Sequence, residues 1–203
     1  MSPKKMDEKA ILDAAAEEFA ELGFSGARVD AIAKRAGINK AMLYYRIGDK
    51  EELYRRVVLR GQAGIQSAMM NAVAASTTAT ETMVSILTGI AENAAENRLM
   101  PSIILRELAG NAKTLPEEGR DGIRKFMDAV RLLVTTGVEE GTFRNIDPTA
   151  LQFIVTGAVF MLSLTKEMRQ ELYPDNPGPV TAEQISEALN DIISHGILRE
   201  GAE

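Results

Sequence analysis

Two short apolar-periodic segments flank Gly37, and neither is long enough to be stable without the other. The stretch from Arg28 to Leu53 reads RVDAIAKRAGINKAMLYYRIGDKEEL. Val29, Ile32 and Ala33 place apolar groups at the three-to-four spacing of a helix. Gly37 interrupts that pattern and suits the left-handed residue that follows a helix end. Asn39 is a good N-cap, so the spacing predicts a second helix over 40–46. Leu43 and Ile47 would form its core pair at i and i+4. Ala41 and Tyr45 would face the other way, beside Lys40, Met42, Tyr44 and Arg46. A helix of one to two turns does not repay the cost of nucleation in water and must be held by its neighbours. Held so, it presents small, aromatic and basic groups outward, as an element entering a DNA major groove must.

Charge is distributed to match. The chain of 203 residues has a formal charge of −6, which by itself disfavours nucleic acid. Residues 28–60 nevertheless carry nine basic against four acidic side chains, a net of +5, while residues 61–203 have a net of −8. A basic head on an acidic body fits a protein that meets phosphates at one end only.

Other chemistries are disfavoured. The sequence has no cysteine and one histidine, so disulfides, thiolate metal sites, cysteine nucleophiles and His-based zinc sites are not expected. No Gly-rich phosphate loop or convergent carboxylate pair appears. No catalytic residue, metal or cofactor is therefore expected. The start, Met1 to Lys5, leads into an amphipathic segment without the pattern of a signal peptide. The longest apolar run, 150–164, contains Gln152 and falls short of the roughly 20 residues of a spanning helix. The expectation is a cytoplasmic protein without a membrane partner.

Helical periodicity runs through the chain. Ile11, Ala15 and Phe19 predict a first helix over 8–22, ended by Gly23 with Phe24 folding back on its last turn. Asp49 would cap a fourth helix running to about residue 74, whose positive N-terminal end could also face a phosphate. Further helices are expected over 80–97, 101–110, 116–140 and 148–172, the last apolar nearly all round and so buried on two sides. Thr181 and Gln184 make a capping box for the final helix. The fold class is all-α with about nine helices. Arg55, Arg56 and Arg60 are expected on a solvated face, and Arg106 with Glu107 as a surface pair.

The segment ILDAAAEEFAELGFSGARVDAIAKRAGINKAMLYYRIGDKEELY resembles the DNA-binding domain of the TetR family of transcriptional regulators. The resemblance rests on FAELGF, IAKRAGI, LYY and DKEELY in that order and at those spacings. Two departures stand out: Arg28 replaces the usual capping Thr or Ser before the second helix, and Tyr45-Arg46-Ile47 stands where Tyr-His-Phe is frequent. The resemblance implies a helix-turn-helix head at 1–54, joined through a long helix to a helical ligand-binding and dimerisation body at 55–203. Lys40, Ala41 and Tyr45 would approach base edges, and Arg28, Tyr44, Arg46 and Lys50 would meet phosphates, which fix register without reading sequence.

It further implies a homodimer through the last two helices, using Leu151, Val155, Ala158, Val159 and Leu162 with Ile185, Leu189, Ile192 and Ile193. The body would hold a small apolar or amphipathic effector. Candidate lining residues are Met83, Leu87, Met100, Ile104, Phe126, Met127, Val130 and Phe160, since methionine-rich linings adapt to such ligands. The function implied is a ligand-responsive repressor on a pseudo-palindromic operator. The alternative is a helical interaction or scaffold protein whose head no longer reads DNA.

Overall fold

A computed structural model describes residues 8–197, so the leading segment with Met1 to Lys5 lies outside the described residues. Ten helices and no strand occur among the described residues: α1 (Glu8–Gly26), α2 (Val29–Arg35), α3 (Lys40–Arg46), α4 (Lys50–Ala75), α5 (Ala79–Glu96), α6 (Leu99–Ala109), α7 (Glu117–Glu139), α8 (Pro148–Leu164), α9 (Lys166–Leu172) and α10 (Ala182–Ile197). They form two compact units, Met1–Gln62 with Leu99–Arg120 and Ala63–Arg98 with Asp121–Glu203.

The first unit is a helix-turn-helix head enlarged by α6. Its core gathers Ile11, Ala15 and Phe19 of α1, Ile32 and Ala33 of α2, Leu43 of α3, and Leu53, Tyr54, Val57 and Val58 of α4, all buried. Gly23 (φ 69°, ψ 174°) breaks α1 near its end. That break lets Phe24 fold back: its ring lies 6.3 Å from Phe19 and 5.0 Å from Tyr54. Met100 and Ile103 of α6 are buried too. A Cβ on Gly61 would sit 2.1 Å from Met100 Cε, so glycine is what lets α4 and α6 approach there.

The second unit packs α5 against α8 and α10. Met83, Ile86, Leu87 and Ile90 of α5, Leu151, Val155 and Val159 of α8, and Ile185, Leu189 and Ile193 of α10 are buried. Capping follows the sequence: Asp147 accepts from Ala150 N–H at 2.7 Å, and Thr181 and Gln184 accept reciprocally at 3.2 Å. After α7, Gly141 takes φ 77°, and the chain folds Phe143 back onto Gly137.

The continuous helix expected over 148–172 is two helices. α8 stops at Leu164, and α9 leaves at 61° to it. Thr165 lies at the break. Its hydroxyl donates to Met161 carbonyl at 2.6 Å, and Arg169 donates to Thr165 Oγ1 at 3.2 Å and Leu162 carbonyl at 2.8 Å. Arg169 also donates to the carbonyls of Pro177 and Pro179, fastening the following loop. A threonine bonded back to i−4, followed by a cation over the last carbonyls, ends a helix. Among the described residues no single helix is long and apolar enough to cross a membrane, and only this bent pair reaches that length and composition jointly.

Candidate nucleic-acid interface

The turn between α2 and α3 is built by backbone bonds. Ala36 N–H donates to Ile32 at 2.8 Å, Gly37 to Lys34 at 3.1 Å and Ile38 to Ala33 at 2.9 Å. Gly37 (φ 71°) supplies the left-handed residue this needs. Asn39 Oδ1 then accepts from Met42 N–H at 2.8 Å, capping α3. Leu43 and Ile47 are buried as expected, which fixes the rotation of α3 and turns its other face outward. On that face Lys40, Ala41, Tyr44, Tyr45 and Arg46 are all exposed, Tyr45 to 88 %. Asp49 caps α4 by accepting from Glu52 N–H at 2.8 Å.

Arg28 makes no side-chain cap for α2, and its own side chain is exposed. Buried Glu18 of α1 compensates, accepting from Arg28 N–H at 3.3 Å. The same carboxylate lies 3.5 Å from Arg35, which also meets Glu17 at 2.9 Å and Glu21 at 3.1 Å. The hydrogen bonds and charge of Arg35 hold the Glu21 carboxyl below its ordinary range. Three acids on α1 thus clamp the end of α2, an arrangement that periodicity does not reveal.

Two predicted phosphate or base contacts are pre-engaged within the head. Lys40 Nζ lies 3.1 Å from Asp30 Oδ1 across the start of α2. Lys50 is half-buried, with Nζ donating to Ser25 carbonyl at 3.4 Å and lying 4.8 Å over the Phe24 ring.

Arg55, Arg56 and Arg60 stay partly in solvent, as a solvated face implies, and pair there with acids. Arg55 pairs with Glu52 at 2.7 Å and Glu118 at 3.2 Å, Arg56 with Glu52 at 2.7 Å and Glu8 at 2.8 Å, and Arg60 with Asp13 at 2.9 Å. Hydrogen bonds from Arg55 and then Arg56 lower the Glu52 carboxyl to about 2. Arg106 and Glu107 do not form the expected surface pair. Arg106 donates to Ala20 and Glu21 carbonyls at 2.8 and 2.9 Å. Glu107 is buried and accepts from Tyr54 hydroxyl at 2.7 Å and from Thr114. Burial and this carboxylate push the Tyr54 phenol well above its ordinary range.

The candidate effector residues fall in both units. Met100 (buried) and Ile104 (half-buried) belong to the first. Met83, Leu87, Val130 and Phe160 (buried) and Phe126 and Met127 (half-buried) belong to the second. None of the eight lines the open groove of about 580 Å³ between α4 and α5, whose walls are small or polar, among them Gly64, Ser67, Asn71, Thr88 and Glu92.

Six of the nine candidate dimer residues are turned inward. Leu151, Val155, Val159, Ile185, Leu189 and Ile193 are buried within their own unit by the packing of α5, α8 and α10. Ala158 and Leu162 are half-buried, and Ile192 is 66 % exposed. The apolar groups left outside are Phe153, Ile154, Met161 and Leu164 of α8, with Met168 and Leu172 of α9. A helix apolar all round has one face in the core, and six of the nine residues expected to meet a second copy are packed into that core.

Comparison with known proteins agrees with this geometry. The profile for bacterial regulatory proteins of the tetR family matches residues 11–57, which span α1 to the first turns of α4. The HTH-type transcriptional regulator RutR of Escherichia coli (strain K12) is 29 % identical over 147 residues, covering 72 % of this chain and 69 % of RutR. The ketosteroid transcriptional regulator KstR2 of Mycobacterium tuberculosis has the same fold, with a TM-score of 0.77 at 21 % identity over 96 % of this chain and 97 % of that one. AibR, solved in complex with isovaleryl coenzyme A and operator DNA, superposes with a TM-score of 0.69 at 22 % identity over 91 % of this chain and 96 % of that one. These relatives are regulators of transcription rather than enzymes. With the signature confined to a head of this geometry, residues 11–57 are identified as a DNA-binding head of the tetR family of bacterial regulatory proteins.

Proposed function

We propose that the chain is a homodimeric, ligand-responsive repressor in the cytoplasm, with a DNA-reading head at 1–54 and an effector-binding and dimerisation body at 55–203. The observation that carries the reading is the outward face of α3. Lys40, Ala41 and Tyr45 stand exposed on a helix whose rotation is fixed by buried Leu43 and Ile47 and whose start is fixed by Asn39. Lysine can donate to guanine O6 and N7, and small or aromatic groups can meet the thymine methyl, so this face has the chemistry of direct readout. Arg28, Tyr44, Arg46 and Lys50 are assigned to phosphates, contacts that fix register without reading sequence.

Dimerisation is assigned to the outer side of α8 with Ile192 of α10, because Phe153, Ile154, Met161 and Leu164 would otherwise leave a contiguous run of large apolar groups in water. A two-fold axis there would carry both heads and match a pseudo-palindromic operator. The effector site is proposed among Met83, Leu87, Phe126, Met127, Val130 and Phe160 of the body. AibR, of the same fold, holds an acyl coenzyme A, and an apolar chain on a polar carrier matches the amphipathic effector that this lining favours. Effector binding must differ in affinity between DNA-competent and released states to move the equilibrium.

The test titrates a selected operator with the full chain, with and without a panel of acyl coenzyme A thioesters from isovaleryl to stearoyl. Tight binding that weakens on adding one chain length supports the proposal. Binding unaffected by the whole panel removes the acyl class of effector. No sequence-specific binding at all favours the scaffold alternative.

A further inference from the structure

Residues 99–120 belong to the compact unit of the head, yet the chain enters them from α5 and leaves them along α7, both of which lie mainly in the other unit. Whatever holds α6 to the head is therefore placed to govern it. Two neighbouring side chains do so. Arg106 donates through Nε to Ala20 carbonyl at 2.8 Å and through a terminal nitrogen to Glu21 carbonyl at 2.9 Å. Those carbonyls belong to the last turn of α1 before the break at Gly23, where a helix runs short of backbone donors. The Arg106 stem crosses that break, with its Cδ 4.0 Å from where a Cβ on Gly23 would stand. Glu107 is buried and accepts from Tyr54 of α4 at 2.7 Å, so α6 cannot slide along the head without leaving a buried carboxylate underbonded.

The same turn of α1 holds the helix-turn-helix. Glu17, Glu18 and Glu21 converge on Arg35, the final residue of α2, two positions before Gly37 turns the chain into α3. Glu21 thus offers its carbonyl to α6 and its carboxylate to α2. We propose that Arg106 is a positioning residue for operator recognition: it fastens α6 to the end of α1 and, through the Glu17–Glu21 turn and Arg35, sets the orientation in which α3 meets DNA. The route runs through α1 and is distinct from any lever action of α4. It rests on the proposed DNA-reading function.

The experiment uses the full chain as wild type, Arg106→Ala and Arg106→Gln, the second retaining one donor without the fork that spans two carbonyls. Hydrogen exchange is followed at the amides of Ala27, Ile32, Ala36, Ile38 and Leu43, each hydrogen-bonded in the head, with Leu53 of α4 as internal reference. Operator affinity is read by fluorescence anisotropy on a site selected with the wild type, well below the melting transition. The expected result is exchange about ten-fold faster at the five amides, an unchanged Leu53, and operator affinity about ten-fold weaker in Arg106→Ala, with smaller shifts of the same pattern in Arg106→Gln. Exchange that rises uniformly, Leu53 included, makes Arg106 a general stabiliser and overturns the proposal. So does faster local exchange with unchanged operator affinity. If Arg106→Ala does not fold, Arg106→Gln decides by the same criteria. A wild type that selects no operator overturns the DNA-reading function first, and is seen before any variant is compared.

Discussion

Lys40 is engaged before DNA arrives: its ammonium lies 3.1 Å from Asp30, with both groups largely in solvent. An exposed pair of this kind contributes little to stability, so Lys40 can exchange its partner for a base edge. Replacing Lys40 or Tyr45 by alanine is expected to cost about 1–3 kcal/mol of operator binding and to relax sequence preference at one position per half-site. Arg46→Ala is expected to weaken all sequences alike and lower the salt slope by about one. Titrations on matched and mismatched sites at several salt concentrations separate the two. The outward face of α3 is legible in the sequence because a seven-residue helix with a cap and two core positions leaves few ways to turn. Arg106 is not. Its partners Ala20 and Glu21 lie more than eighty residues away in sequence, and neighbouring residues on a helix point in different directions, so adjacency to Glu107 said nothing about pairing. Tyr54→Phe, which removes one donor from buried Glu107, is expected to cost about 1–3 kcal/mol in urea denaturation. Acid tests Glu52. Its folded value of about 2 lies below the ordinary 4.5, so its contribution is complete above the ordinary value and is lost as pH falls from there toward 2. Glu52→Gln should lower stability at neutral pH and flatten the stability–pH curve between about 4.5 and 2.

At the scale of elements, capping chemistry was the reliable signal. Asn39, Asp49, Asp147 and Thr181 all cap the helices that their positions suggested, because a cap needs only its own backbone two or three residues ahead. The break at Thr165 escaped the pattern because no glycine or proline marks it. It depends on a hydroxyl bonded back to Met161 and on Arg169 reaching forward to a loop whose position only the tertiary fold fixes. The apolar periodicity of α8 was read correctly, but it could not say which of two apolar faces meets α5 and α10. Small residues carry a second kind of information. A Cβ on Gly137 would meet Phe143 Cδ2 at 2.2 Å, and Phe143 is 2 % exposed. Gly137→Ala is therefore expected to destabilise the body by about 1–3 kcal/mol through overpacking, read as a lower denaturation midpoint.

At the scale of the whole molecule, the proposed dimer would cover the large apolar groups that the body leaves in solvent. Ile154 is 68 % exposed, Phe153 58 % and Ile192 66 %, and a charge among them should keep two chains apart without touching the core of either. Ile154→Asp is expected to sediment as a monomer and to lose operator affinity on the order of a hundred-fold, since two linked heads bind far more tightly than one. A variant that remains dimeric would place the interface elsewhere. The charge division of basic residues 28–60 and acidic residues 61–203 belongs to this scale as well: under the proposed function it would favour approach to DNA by the head. Under the proposed function two α3 helices read a symmetric DNA sequence. Selection of bound duplexes from a random pool, with the full chain at moderate salt, tests this. Enrichment of one pseudo-palindrome with half-sites about one helical turn apart is the predicted result. Salt-sensitive binding with no enriched sequence would contradict it.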